Sequence, residues 1–240
     1  NEGDVTNCTA EGLVSGYGEF IGGLIGWNHG DIHISTASGD VYGGGQGIGG
    51  LVGSSSGLVE YCHAYGDVNG NVTVGGLIGE KRGLVSNCST YGLVYGAERV
   101  GGLLGTNGGL LEYSYSEGMV NGASNQIGGL VGVNLGLYGN QRGFISNCHS
   151  IAVVDGNSSV GGIVGWNRGD VIECFHNGDV RGVDEVGGLV GINYGTDGDM
   201  GSVGGSYSTG KVYGSNKVGG LIGNNSGSAQ LSRSQCEVSG

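Results

Sequence analysis

One block recurs along this chain and leaves few folds open to it: Val or Ile, two glycines, an aliphatic pair and a further glycine. It begins at Ile21, Ile48, Val74, Val100, Ile127, Val160, Val186 and Val218, at intervals of 27, 26, 26, 27, 33, 26 and 32 residues. The two long intervals hold inserts of six or seven residues, near 135–141 and 194–200, so insertions enter at one place in the repeat. Self-similarity at such a period is the signature of a stacked architecture.

Two more patterns keep the same phase. A Val followed two residues on by Gly falls at Val14, Val41, Val68, Val94, Val120, Val154, Val180, Val212 and Val238. A third block runs from apolar residues to a thiol or hydroxyl, as in Leu58-Val59-Glu60-Tyr61-Cys62. Each unit therefore reads as three short β segments separated by Gly, Asn and Ser turns, none long enough for a helix. One such unit cannot bury its apolar face alone, but copies stacked in register give every strand two parallel neighbours. The expectation is an all-β, three-faced parallel β-solenoid of about eight and a half coils, with 26–27 residues per coil, forming a single domain over residues 1–240. At about 4.8 Å per rung the rod is roughly 40 Å long. The 60 glycines fit corners that need positive φ or close approach, and the absence of proline fits a backbone bonded above and below.

Stacking turns each repeat position into a column. Seven residues after each block begins come Asn28, Ser55, Lys81, Asn107, Asn134, Asn167, Asn193 and Asn225, a ladder expected to link side-chain amides along the stack at a turn. Cys8, Ser35, Cys62, Cys88, Ser114, Cys148, Cys174, Ser206 and Ser232 form an inward column of small side chains. Its adjacent members Cys62 with Cys88, and Cys148 with Cys174, lie one rung apart, within the Cα separation of a disulfide; bonded pairs and free core thiols are both open. Cys236 takes the place of the turn glycine Gly12 and is expected to point outward, either as a decayed terminal repeat or as a covalent link to another subunit, with Cys8 of the first coil as the candidate partner. The column Leu24, Leu51, Leu77, Leu103, Leu130, Ile163, Leu189 and Leu221 is core if a bulge turns it inward and a lateral packing stripe if it faces out.

Chemistry is sparse. The histidines His29, His33, His63, His149 and His176 read as exposed or satisfied, and the aspartates that recur at Asp4, Asp31 and Asp170 and at Asp40, Asp67 and Asp179 read as a solvated face too broken for a calcium column. The cysteine spacing is unlike a zinc site, and the Gly-x-Gly patterns have no following helix to bind phosphate. With 21 acidic and 9 basic side chains the formal charge is −12, which disfavours nucleic acid and anionic membrane surfaces as partners. No apolar run approaches the roughly 18 residues that span a bilayer, so membrane insertion is not expected. No cofactor and no metal are expected.

Units such as Val160-Gly161-Gly162-Ile163-Val164-Gly165-Trp166-Asn167-Arg168-Gly169, continuing to Cys174 and Gly178-Asp179-Val180-Arg181-Gly182, resemble the GLUG-motif repeats of bacterial and archaeal surface proteins. The resemblance covers essentially the whole chain. It implies an extracellular, cell-surface or cell-envelope location and a scaffold or attachment role, and carries no fixed catalytic residues. Three functional classes follow. The first is a non-catalytic structural protein that self-assembles into a sheath, filament or surface layer; the sequence begins in phase at Asn1 and stops within a ninth coil at Gly240, without an evident polar cap. The second is an adhesin stalk or a module that binds glycans or other cell-surface proteins, with Trp27, Trp166, Tyr42, Tyr95 and Tyr213 as candidate contacts. The third is a β-helical polysaccharide lyase or hydrolase, for which the sequence offers no carboxylate pair or basic cluster.

Overall fold

The protein is described here by a computed structural model covering residues 1–137, 142–196 and 199–240. It is a parallel β-solenoid with no helix among the described residues. Every repeat-to-repeat pairing is parallel, and its register is the sequence period: Val52 stands between Ile25 and Ile78, and Val68 between Val41 and Val94. The two inserts lie only partly within the described residues; of the second, Gly195–Thr196 and Asp199–Met200 pair antiparallel.

The three sequence blocks are all present, but two of them are bent in the middle, so a coil carries five short segments. In the second coil these are Gln46–Gly49, Val52–Ser55, Val59–Glu60, His63–Ala64 and Val68–Asn69. The bend between Val59–Glu60 and His63–Ala64 is made by Tyr61 in left-handed conformation (φ 53°), and the same column holds Asn7, Ile34, Asn87, Tyr113, Asn147, Glu173, Gly205 and Leu231, all with positive φ. A second left-handed column precedes each Val or Ile of the glycine block, from Phe20 through Gly47, Thr73 and Arg99 to Lys217. Most of these residues are not glycine, so of the two roles expected of the corner glycines, positive φ and close approach, the first falls largely to other residues. β-branched Ile34 and Thr73 adopt it at a cost of order 1–3 kcal/mol each, over-determined by the coils on either side.

Close approach is what the glycines provide instead. A Cβ on Gly49 would lie 2.1 Å from the carbonyl oxygen of Val52, and one on Gly79 would lie 2.5 Å from the backbone of Gly47 and Ile48. The two arms of the glycine block thus fold onto each other backbone to backbone, with no side chain between them, and create a re-entrant corner along the rod. The glycine between them faces inward: a Cβ on Gly50 would meet Ala64 and Val68 at 3.1 and 3.2 Å. That contact narrows the interior into two compartments. One holds the Leu51, Val52, Val59 and Cys62 columns, and the other holds Val41, Ile48, Val68 and Val74 with their equivalents. Leu51, Leu77, Leu103, Leu130, Ile163 and Leu189 are fully buried, because the chain turns at the preceding Gly pair and carries them inside; the lateral packing stripe is excluded for this column.

Candidate functional site

Inside the rod, two hydrogen-bonded columns replace the side-chain roles that alternation alone suggests. Nδ2 of Asn107 donates to Oδ1 of Asn134 at 3.0 Å, and the relay continues from Asn134 to Asn167, Asn167 to Asn193 and Asn193 to Asn225, each at 2.8 Å. Asn107 and Asn167 also donate to the carbonyl two residues on, at Gly109 and Gly169, so each amide closes its own turn and joins the next. Asn28 starts a second stretch: Asn1 donates to it, and it donates to the Ser55 hydroxyl. The ladder fails between Ser55 and Asn107. Nζ of Lys81 occupies that place, 1% exposed, and donates to Ser55 Oγ at 3.2 Å and to the carbonyl of Gly57. Burial drives its amine down to about 7.

The thiol column works in the same manner. At each left-handed bend the residue after it returns a hydrogen bond to the carbonyl two residues back: Ser35 to His33, Cys62 to Glu60, Cys88 to Ser86, Ser114 to Glu112, Cys148 to Ser146 and Cys174 to Ile172. The same atom accepts the N–H of the preceding coil, as when Cys62 donates to Cys88 Sγ and Cys88 to Ser114 Oγ. A small group that both donates and accepts fits, which explains the exchange of Ser for Cys better than size alone. All six cysteines are free thiols in this structure, Cys62 beside Cys88 and Cys148 beside Cys174 included, and burial pushes the Cys88 and Cys148 thiols well up. Cys236 pairs in register with Gly210, as aligned, but its Sγ points inward against Gly188 and the second compartment, contrary to an outward corner thiol. Half-buried Cys8 lies in the first coil, the full length of the rod away.

Two further expectations are corrected. Asp31, Asp40 and Asp67 do not simply face water: each accepts a backbone N–H from the next coil, at Leu58, Asp67 and Leu93. His176 is neither exposed nor satisfied. It stands in the column of Ala64, Thr90, Ser116, Ser150 and Ser208, where Thr90, Ser116 and Ser208 donate to glycine carbonyls of the neighbouring coil. Its ring fits because Gly162 lacks a Cβ, its two nitrogens have no hydrogen-bond partner, and burial lowers its pKa to about 4 against the weaker pull of nearby carbonyls.

On the outside, the aromatic residues singled out by sequence do not converge. Trp27 and Trp166 share one outer column but are separated by Ser54, Glu80, Thr106 and Val133. Trp166, Tyr194 and Arg168 form a cation–π group, and Arg168 joins Arg142 in holding Asp199 at 2.8 Å, with Arg142 also on Asp170. This clasp ties the second insert, through Asp199, back to the two preceding coils. Elsewhere Tyr115, His149, Phe175 and Tyr207 stack in a row, with centroids 4.9, 4.7 and 5.2 Å apart, and Arg233 covers the end. Their faces are taken by one another, so only ring edges meet solvent.

A cleft of about 370 Å³ lies along the re-entrant corner of the first coils. It is lined by Phe20, Trp27, His29, Ser54, Ser56, Glu80, Arg82, Arg99, Thr106 and Leu135, with Ser55 and Lys81 buried at its base. The Phe20 ring packs where Gly47 lacks a side chain; in the last coils the same corner is filled by Glu185, which bonds Ser159, Lys217 and Asn224. Ser55 and Lys81 have the composition of a Ser–Lys nucleophilic pair. Both side chains, at 2% and 1% exposure, lie beneath the strand and point into the ladder, where no acyl carbon can reach the hydroxyl. Among the described residues no group of three or more His, Cys, Asp or Glu is placed to hold a metal ion. No protein-family model, no curated protein and no solved structure matches the chain.

Proposed function

We propose that this protein is a non-catalytic structural element of a cell envelope, a stiff extracellular rod that associates with copies of itself into a sheath, filament or surface layer. The observation that carries the reading is the unbroken parallel register: each coil is held to the next by five backbone segments and by buried Asn and Ser/Cys relays, so the surface offered to a further coil is the same at every rung. A strand edge of this kind accepts a coil of like register, whether from the same chain or from a second copy. The likeness to GLUG-motif surface repeats supports the location. Side chains that bear chemistry are spent on closing bends and turns rather than gathered around an open site, which supports the absence of catalysis.

Electron microscopy of the material as isolated from cells tests this. Regular polymers whose axial repeat matches a stack of coils are expected; dispersed single rods at native concentration would instead favour a stalk that carries a binding module.

A further inference from the structure

We propose that Asn71 and Asn157 are glycosylation sites, whose side-chain nitrogens accept an oligosaccharide from a lipid phosphate or diphosphate carrier. Each opens an Asn-x-Thr/Ser triplet, Asn71-Val72-Thr73 and Asn157-Ser158-Ser159. The two triplets hold the same place in the repeat, just before the glycine block, three coils and about 14 Å apart along the rod. Both asparagines are built into the turn in one way. The carbonyl of Asn71 accepts the N–H groups of Ala97 and Glu98 at 2.8 and 3.2 Å, and that of Asn157 accepts those of Val183 and Asp184 at 2.7 and 3.1 Å. Both residues are exposed, and neither side-chain amide makes a hydrogen bond among the described residues. The nitrogen that would carry the sugar therefore faces solvent, and a bulky hydrated chain attached there leaves the coil stack intact.

The fold does not ask for the hydroxyl in these triplets. Thr73 and Ser159 lie in the left-handed column before the glycine block, at φ 58° and 54°, and the coil before Thr73 has Gly47 in that place. A β-branched residue is strained there. Thr73 gains no compensating bond: it is buried, and its hydroxyl has no hydrogen-bond partner among the described residues. Across the eight repeats, asparagine in the first place and a hydroxyl in the third occur only in these two, and always together. The other six hold pairs such as Ala97 with Arg99 or Val183 with Glu185. A threonine standing where backbone geometry opposes it marks a demand from outside the fold. Three more triplets match by sequence. Asn224 and Asn87 have their amides engaged, with Glu185 at 2.9 Å and Ser86 Oγ at 2.7 Å, so a sugar on either disrupts a bond. Asn7 is exposed, but its column also carries a hydroxyl without asparagine, Thr36 after Ile34, so the pairing does not single it out.

In the transfer the amide nitrogen bonds to the anomeric carbon of the first sugar, and the bond from that carbon to the lipid phosphate oxygen breaks. The phosphate leaves with the electron pair, and the nitrogen gives one proton to a base of the transferase. Thr73 and Ser159 are buried once the coils close, so an enzyme that reads the hydroxyl acts before the coils stack, and the finished rod is not a substrate. The proposal rests on the extracellular location proposed above and not on self-association. It is tested by peptide mass spectrometry of the protein taken separately from the envelope and the cytoplasm of its native cells. Envelope protein should carry a sugar at Asn71 and Asn157 and none at Asn87 or Asn224. In the same cells Thr73→Gly should lose the sugar at Asn71 alone, and Thr73→Ser should keep it. Thr73→Gly also relieves the left-handed strain, so urea unfolding should find it no less stable than Thr73→Ser, which separates loss of the sugar from misfolding. Either asparagine bare in envelope protein, a sugar on Asn224, or Asn71 still modified in Thr73→Gly overturns the proposal and leaves the location standing. Bare protein found only in the cytoplasm overturns both.

Discussion

The inner turn column exists in two versions within one molecule. From Asn107 to Asn225 it is a continuous amide relay, and from Asn28 to Lys81 it is a mixed stretch in which a serine accepts from both sides and a buried ammonium faces a backbone carbonyl. The backbone register is identical in both, with Ser55↔Lys81 and Lys81↔Asn107 paired as Asn134↔Asn167 are. The fold therefore does not require asparagine at this position; it requires that each turn carbonyl be met by a donor. What differs is electrostatic cost, and that cost lies at the base of the cleft on the re-entrant corner.

Replacing Lys81 by Asn should have the largest effect. The folded chain holds this amine at about 7, against roughly 10.4 when unfolded. Between those values the unfolded state binds more protons, so wild-type stability rises with pH across that window, and the penalty is complete below pH 7. It amounts to about 5 kcal/mol. Urea unfolding of Lys81→Asn beside wild type at pH 6, 8 and 10 should show an advantage of the variant that shrinks as pH rises. A difference that stays constant with pH would mean that Lys81 is solvated or paired as an ordinary cation.

In the uninterrupted stretch the opposite substitution is informative. Asn167→Ala removes donation to Asn193, Gly169 and Ser202 and takes from Asn134 its side-chain acceptor, leaving that amide the carbonyls of Gly143 and Asp170. A loss of about 3–4 kcal/mol is expected, since buried groups lose their partners outright. Asn225→Ala, at an exposed end of the relay, should cost under about 1 kcal/mol. Equal losses at the two sites would show that the relay adds nothing beyond each local turn.

His176 interrupts a different column, and its effect should come next. Its folded value of about 4 lies below the usual 6.5, so the folded state resists protonation between them and stability falls as pH drops through that window. His176→Ser restores the hydroxyl of Ser150 and Ser208. Its advantage over wild type in thermal unfolding should grow by about 3 kcal/mol between pH 6.5 and 4. If the two proteins lose stability in parallel over that range, the ring is not buried as described.

The period, the parallel register and the membership of the Val, Asn and Cys columns were all legible in the sequence, because stacking repeats every local choice and a column exposes any exception. Orientation was not. Whether Leu51 faces in or out depends on the bend at Gly49-Gly50, and neither the left-handed conformation of Tyr61 nor that of Thr73 follows from residue type. Of the two roles the sequence left open for glycine, positive φ and close approach, Gly49 and Gly79 serve the second, bringing backbone against backbone within a coil and between coils. The cleft was illegible for a related reason: it depends on how the Phe20 ring packs over Gly47 and on the proximity of Arg99 to strands in other coils. The exception at Lys81 was visible as a break in the Asn column, and weighing it as a buried amine would have drawn attention to the surface above it.

The smallest effect concerns the thiol column, which has no interruption at all. If Cys88 acts as a donor to the carbonyl of Ser86 and an acceptor for the N–H of Cys62, serine is a full replacement and alanine is not. Cys88→Ser should change stability by less than about 0.5 kcal/mol. Cys88→Ala should cost about 1–2 kcal/mol, because it leaves that buried N–H without a partner while it removes only one small side-chain atom. Were the column merely a row of small hydrophobes, the order would reverse: alanine would be tolerated and the hydroxyl would carry the desolvation penalty. Thiol labelling of the wild type separates the two half-buried terminal cysteines from the four in the middle of the column. Half-buried Cys8 and Cys236 should react in the native state, whereas Cys62, Cys88, Cys148 and Cys174 should react only on unfolding. A native Cys62–Cys88 or Cys148–Cys174 bridge, seen as a mass lower by about 2 Da per pair for the two hydrogen atoms lost on oxidation, would require both relays to be broken and would show that the bends tolerate it.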